Sequence, residues 1–518
     1  MEEQATLIDL GPYTEPKKTV DRAVAAAPKI KRIDRDQSAF VALEVDHLVG
    51  ADDKVRAIWE LTGKMDFSEL RKQIVSKEGS AGQAHEDPRL LVAIWVWAYS
   101  EGVSSSRQLE HMMEHEPALM WLSGLRTLSH ATLSNFRKDH RKELDGLFTQ
   151  LLALLETVGA VNLDRVMHDG TKVRAQAGID TLRREGTLRG NLAKARALVA
   201  ELENPDAEAS PRQKAARERA ARERAERLEA AVKELEDLQS KQKKAEEKQA
   251  VRVSTSEPEA RLMKHGDHAI RPSYNAQITT EASHRVIVAA ALTQDAADAN
   301  ALLPAMDLVE KNMGRKPVQV VADGAYTNRA NIAAMKARDI DFIGSLGDHE
   351  SRQAAAVQAR GIDPRFAPQF FILQPESRTM KCPAGKELKY VRQNKVRGDL
   401  YHRYQAAGND CSSCPHQRQC CPRHPDKGRS VCLRVEESPE IAAFRSRMQT
   451  EEAKAAYRQR SAVAEFPNAC IKEKIGLRKF SLRGLVKAGI ELTWACLTYN
   501  ALIWVRLYRR AQMNPATA

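Results

Sequence analysis

Aromatic residues make up only 5% of this 518-residue chain, and none of its eight cysteines precedes Cys382. Six of them, Cys382, Cys411, Cys414, Cys420, Cys421 and Cys432, crowd into one short region, with Cys470 and Cys496 beyond it. That distribution excludes a disulfide framework spread over a secreted fold. No apolar run approaches the roughly 18 residues a membrane span requires. The opening MEEQATLIDLGPYTEPKK lacks the basic-then-apolar pattern of a signal peptide, and we expect a cytoplasmic protein. Acid is in deficit too: 69 Asp and Glu face 81 Lys and Arg, giving a net charge of +12 and a pI near 9.2. A polyanionic partner fits that balance better than an acidic protein does, although an ordinary basic enzyme shares the sign.

What is present is organised in blocks, and a chain of this length divides into several domains. Residues 1–40 show little periodicity and read as a flexible arm. From 41 to 160 the pattern is helical. Asp87 and Pro88 form an N-cap and first-turn pair, with Leu91, Ile94, Trp95 and Ala98 on one face. A second helix, Ala131 to Arg141, is capped by Ser129 and turns Leu133 and Phe136 inward. Thr132, Ser134, Asn135, Arg137, Lys138 and Arg141 are then left outside, which suits either a helix read against DNA or a plain solvated face. Residues 161–346 alternate strands and helices as an α/β core does. Within them, 179–252 turns to low-complexity Ala, Glu, Arg and Lys, with apolar stripes at Leu192, Ala195, Val199 and Leu202 and at Leu228, Val232, Leu235 and Leu238. This reads as an inserted antiparallel helical hairpin. A β-hairpin at SYNAQITTE and HRVIVAAALT, a helix from Asp298 to Asn312, the strand PVQVVAD and a helix from Asn328 to Arg338 follow. Residues 347–439 look irregular and carry the cysteines, 440–510 are helical again, and 511–518 form a tail.

Two short apolar runs, VMHDGTKV and VVADGAYT, each end on Asp-Gly, a strong hairpin signal. For Asp169 a turn is possible, because TKVRAQAG could be a return strand. For Asp323 it is not, because AYTNRANIAAMKARD is a capped helix with no strand to pair. A carboxylate where a buried strand gives way to a helix is where open α/β sheets place ligands. Two carboxylates hold a divalent ion weakly, so a third acid is required, best placed on a helix. In YRQRSAVAEFPNACIKEK, Glu465 and Lys472 stand seven apart, two turns along one face, with Tyr457 and Arg460 upstream. A surface ion-pair helix would have the same composition.

Together DGTKVRAQ, ADGAYTN and YRQRSAVAEFPNACIK resemble the three motifs of the DDE transposases of bacterial insertion sequences, in the branch with a Tyr-Arg-Glu-Lys signature. DPRLLVAIWVWAYSEGVSSSRQLE with LSHATLSNFRKDH resembles that group's helical N-terminal domain, and LRGLVKAGIELTWACLTYNALIW its closing helix. The resemblance implies a ribonuclease H-like core in which Asp169 on the first strand, Asp323 after the fourth and Glu465 on a later helix converge, with the cysteine region as an insertion. Three carboxylates can hold two Mg²⁺ or Mn²⁺ ions, whose preference is for hard oxygen ligands. Lys472 and Arg460 would hold phosphates of the transposon end, and Tyr457 would pack on a base or the backbone. Double-stranded DNA, both element ends and target, is the implied partner, with a homodimer assembled on it at the nucleoid.

The cysteines fall in knuckle-like pairs: Cys382 in CPAGK, Cys411 and Cys414 in CSSCP, then Cys420 or Cys421, with Cys420 preferred. This is the style of a structural zinc ribbon, and a redox Cys-x-x-Cys would need a flanking βαβ pattern that is missing. His168, His265 and His268 read as structural or phosphate-facing. Two alternatives compete with a transposase: a catalytically inactive DNA-binding descendant, and another two-metal nuclease on the same core.

Overall fold

The computed structural model describes residues 42–76, 79, 84–202, 210–346, 357–396, 399–436 and 439–513. The expected arm, 1–40, and residues 514–518 of the expected tail lie outside them. Helix Pro88–Ser100 is capped by Asp87, which accepts from the Arg89 amide. Apart from Arg89 all its residues are buried, so it runs through the centre of the N-terminal helices rather than over their surface. Its Trp95 indole donates to the Leu133 carbonyl at 3.1 Å. The next contact in this chain joins distant parts of the sequence, since Trp494 donates to the Arg137 carbonyl at 3.1 Å. Trp494 belongs to the final helix, Leu485–Met513. Farther along that helix Asn500 brackets Ile287 through both ends of its amide, at 3.0 and 2.8 Å. One hydrophobic core therefore extends from Val49 to Val505.

That core also holds a six-stranded mixed sheet. Its first strand, β1 (Arg165–Arg174), is followed by a short ribbon of β2 (Leu182–Arg183) and β3 (Val253–Ser254). Between β2 and β3, helices Glu185–Leu202 and Pro211–Ser240 pack along Leu188, Ala195, Leu228 and Leu235, and Ser210 and Gln213 close a capping box. The remaining strands are β4 (Arg261–Lys264), β5 (Ile270–Glu281), β6 (Ile287–Thr293), β7 (Gln319–Ala322) and β8 (Asp341–Gly344). Along the sheet β5, β1, β7 and β8 are neighbours, and β4 and β6 both pair with β5. β1 is antiparallel to β5 and parallel to β7, and β8 continues the parallel half. This arrangement, with helices in front of it in sequence, is compatible with a ribonuclease H-like core.

Three expectations change. β1 runs straight through Asp169 and Gly170, paired with Ile278 and Gln277, so there is no turn there and no return strand. The helix expected from Asp298 begins at Leu302. The cysteine-bearing segment is not irregular: β9 (Ile372–Gln374), β10 (Thr379–Lys381), β11 (Glu387–Val396), β12 (Asp399–Ala406) and β13 (Ser430–Glu436) form an antiparallel sheet in that or the reverse order. ELKYVRQNKV and DLYHRYQA are too polar to alternate, and the register shifts between Tyr390 and Arg392. The apolar/polar signal of a half-buried strand is lost there.

Arg137 differs from its reading as an exposed DNA contact. It is buried; its guanidinium donates to the Ser104 carbonyl and to the Tyr99 hydroxyl, and lies 4.7 Å from the Trp95 ring centroid. Arg137→Ala should cost about 3 kcal/mol of stability, the scale for removing one member of a buried charged network. Lys138→Ala, at a half-exposed position, should cost almost nothing. Calorimetric unfolding of the two variants checks the contrast. A second prediction concerns His168, buried in β1, whose Nε2 faces Gln277 Oε1 at 3.0 Å and whose Nδ1 accepts from Thr279 at 2.9 Å. Burial pushes its pKa down to about 4. The unfolded chain takes up this proton near pH 6.5 while the folded one does not. Stability is therefore complete above pH 6.5 and falls by up to about 3 kcal/mol as the pH drops toward 4. His168→Gln should flatten that slope in urea titrations at pH 7 and pH 5.

Candidate active site

β1 and β7 pair in parallel from Arg165 with Gln319 to His168 with Ala322. β7 ends at Ala322, so continuing the register by one residue sets Asp323 beside Asp169, on strands roughly 4.8 Å apart. Asp169 lies within its strand rather than at a strand end, and it is the neighbouring strand that stops. The Asp323 carboxylate accepts from the Ala325 amide at 2.8 Å, and the chain turns into helix Arg329–Ala337, capped by Asn328. Burial raises the Asp169 carboxyl to about 6; Arg460 opposes the shift, and Asp323 adds to it. Asp323 is thus close enough to disfavour the charge on Asp169.

Helix Glu451–Glu473, capped by Thr450, lies across this end of the sheet. Ala453, Ala456, Val463 and Ala464 pack on Met167, Val321 and Ile343. Arg460 reaches 3.9 Å from Asp169 Oδ1, Asn468 donates to Asp169 Oδ2 at 3.1 Å, and Lys472 donates to the Thr171 hydroxyl. Burial lowers the Lys472 pKa, with the charge on Asp169 opposing. Tyr457 is half-buried, its ring centroid 5.8 Å from the Arg460 guanidinium. Asp169, Asp323, Arg460 and Lys472 are therefore brought together. Glu465 is exposed on the same helix. Among the described residues no three His, Cys, Asp or Glu side chains are grouped closely enough to hold a metal. Two hard carboxylates, beside a buried amide oxygen of Asn468 that has no hydrogen-bond partner, nevertheless suit Mg²⁺ or Mn²⁺ in their chemistry.

Asp298 was missed by sequence reasoning. Its Oδ1 accepts from Asn275 at 2.7 Å and from Gln277 at 2.9 Å, and Gln277 accepts from the buried Tyr326 hydroxyl at 2.6 Å. A Cβ at position 170 would come within 2.6 Å of both Asp298 Oδ1 and Gln277 Nε2, so a side chain after Asp169 would have to displace this hydrogen-bonded group. The available signal was Asn275 and Gln277, two amide side chains two apart and so on one face of the strand.

Elsewhere Asn135 is exposed and Lys138 half-exposed on helix His130–Asp139. Cys382, Cys411, Cys414, Cys420 and Cys421 line one cavity of about 20 Å³. The Lys386 and Arg429 amides donate to Cys382 Sγ and Cys411 Sγ, each at 3.2 Å. Burial pushes the Cys420 thiol up to about 11, with Arg429 opposing.

No helix among the described residues is long and apolar enough to cross a membrane. Residues 381–502 match a family described as a transposase DDE domain, and residues 44–139 match one described as a transposase domain, DUF772. The first match contains the Arg460–Lys472 helix, the second the N-terminal helices, and Asp169 and Asp323 lie between them. No curated protein gives a match. With a transposase domain matched on either side of the sheet that carries the paired aspartates, the chain is a DDE transposase of the insertion-sequence type.

Proposed function

We propose that the chain binds the ends of an insertion sequence and catalyses metal-dependent strand cleavage and transfer, with Asp169, Asp323 and Glu465 as the catalytic acids. The carrying observation is the parallel register that sets Asp169 beside Asp323 under a helix bearing Arg460 and Lys472. Glu465 is the third acid because its rivals are engaged. Glu451 and Glu452 pair with Lys454 and Arg447, Glu473 pairs with Arg478, and the buried Glu491 accepts from Ser481 and Leu482. Glu465 makes no such bond among the described residues.

Bound Mg²⁺ or Mn²⁺ would activate water or a 3′-hydroxyl and stabilise the leaving oxygen. The carboxylates fix where that charge sits, and their half-buried setting limits competing water. Lys472 and Arg460 hold phosphates of the end being cut, and Tyr457 offers a ring to a base or the backbone. Asn135 and Lys138 present an amide and a cation to the duplex, whereas Arg137 holds their helix in place. Paired element ends call for a homodimer on the DNA, working at the nucleoid in the cytoplasm. Asp169→Ala, Asp323→Ala and Glu465→Ala should each lower strand cleavage of an end-containing duplex by about 10³-fold or more, with gel-shift binding retained. Full cleavage by Glu465→Ala would move the third acid elsewhere.

The cysteine cavity is proposed as a structural zinc site with Cys382, Cys411, Cys414 and Cys420 as ligands. Backbone amides donate to two of the sulfurs and burial raises the Cys420 thiol, so a bound cation would displace that proton; the four sulfurs would draw together around the ion, since among the described residues they are not grouped closely enough to hold one. Metal analysis should find about one zinc per chain, and Cys411→Ser with Cys414→Ser should lose it and lower the thermal midpoint. A zinc-free wild type, folded and active, would exclude the site.

A further inference from the structure

One residue of the site helix faces the aspartates without a role in the reaction as described. Arg460, Ala464, Asn468 and Lys472 are spaced four apart and so share a face. Arg460 and Lys472 touch Asp169 and Thr171, and Asn468 lies between them, 7% exposed. Its amide has two ends. Nδ2 donates to Asp169 Oδ2 at 3.1 Å, which fixes the plane of the group. Oδ1 is buried and accepts no hydrogen bond.

An amide oxygen closed off from water without a donor is a loss of stability that Leu, of similar volume, would avoid. Such a group persists where the oxygen serves something other than folding. The two amide heteroatoms share one carbon, so Oδ1 is held within reach of a cation bound at Asp169. Hard divalent cations accept amide carbonyl oxygens alongside carboxylates. Glu465, three residues earlier, is a neighbour of Asn468 on the helix surface and can approach the same ion from the exposed side.

We propose that Asn468 is a further oxygen ligand of the divalent cation at Asp169, holding the ion with Oδ1 while its Nδ2 orients the carboxylate. The inference rests on the metal-dependent reading above. It is tested on the full chain by titrating Mn²⁺ and following its paramagnetic resonance signal, so that binding is read without DNA cleavage. Asn468→Leu should weaken Mn²⁺ by about tenfold or more, while Asn468→Asp, which keeps an oxygen at that place, should bind at least as tightly as the wild type. Should Asn468→Leu fail to fold, as its thermal midpoint will show, Asn468→Ser takes its place. Unchanged affinity in the shortened or apolar variant overturns the proposal, as does an Asn468→Asp variant as weak as Asn468→Leu, which would leave Asn468 a hydrogen-bond donor only. Asp169→Asn separates the two levels of the argument. If it loses Mn²⁺ while Asn468→Leu does not, only the ligand assignment fails; if it retains full affinity, the metal site itself fails and the assignment with it.

Discussion

The parallel pairing of β1 with β7 is the constraint on which the site depends. β7 is only four residues long and buried throughout, and its last pair with β1 is Ala322 with His168. A slip of one residue would exchange the faces of the strand. It would carry Asp323 or Asp169 off the face on which Met167, Val321 and Ile343 pack against the Arg460–Lys472 helix. Apolar packing on one side of the sheet and the His168–Gln277–Tyr326 hydrogen bonds on the other both oppose such a slip. The register is thus set by burial on two faces, and the proximity of the two carboxylates follows from it.

Proximity has an energetic cost that the surroundings only partly offset. Burial and Asp323 both push the Asp169 proton on, and Arg460, 3.9 Å away, pulls it off. Beneath the site, Asp298 is held by two amides against Gly170, and its charge adds negative potential at Asp169. Asp169 is carried by a strand, Asp323 follows the end of the next one, and Arg460 and Lys472 stand on a helix packed across both, so the four charged groups are held in a fixed relation.

The N-terminal helices share the core that carries the site. Trp95 and Trp494 anchor the backbone of helix His130–Asp139 from two sides, and Arg137 fills the space between Ser104, Tyr99 and Trp95. Asn135 and Lys138 therefore stand on a helix whose inner face is fixed to the final helix, and the final helix is fixed to β6 through Asn500. DNA held by the outer face would be positioned relative to the carboxylates through packed side chains rather than through a loose tether.

Local patterns in the sequence determined much of this. Asp87, Ser129, Ser210 and Asn328 cap helices because their short polar side chains follow a local rule, and the paired runs around Ile278 and Val288 form a hairpin because neighbouring segments need only a turn to meet. That Asp323 ends a strand rather than opening a hairpin was legible because the helix after it left no partner for a turn. Properties that depend on distant segments were not legible. Asp169 looks like a turn until β5 and β7 are in place to pair with the residues around it. Arg137 carries the same charge as Lys138, and only the approach of Trp95, Tyr99 and the final helix decided that one is buried and the other is not. Asp298 reads as a helix start until Asn275 and Gln277 present their amides. The polar strands β11 and β12 form because they pair with each other and with β10 and β13, not because their side chains alternate. Sequence specifies which groups are available and what each prefers locally, whereas burial and charge partners are set by segments far away in the chain, so the tertiary structure alone decided which of the available groups became the site.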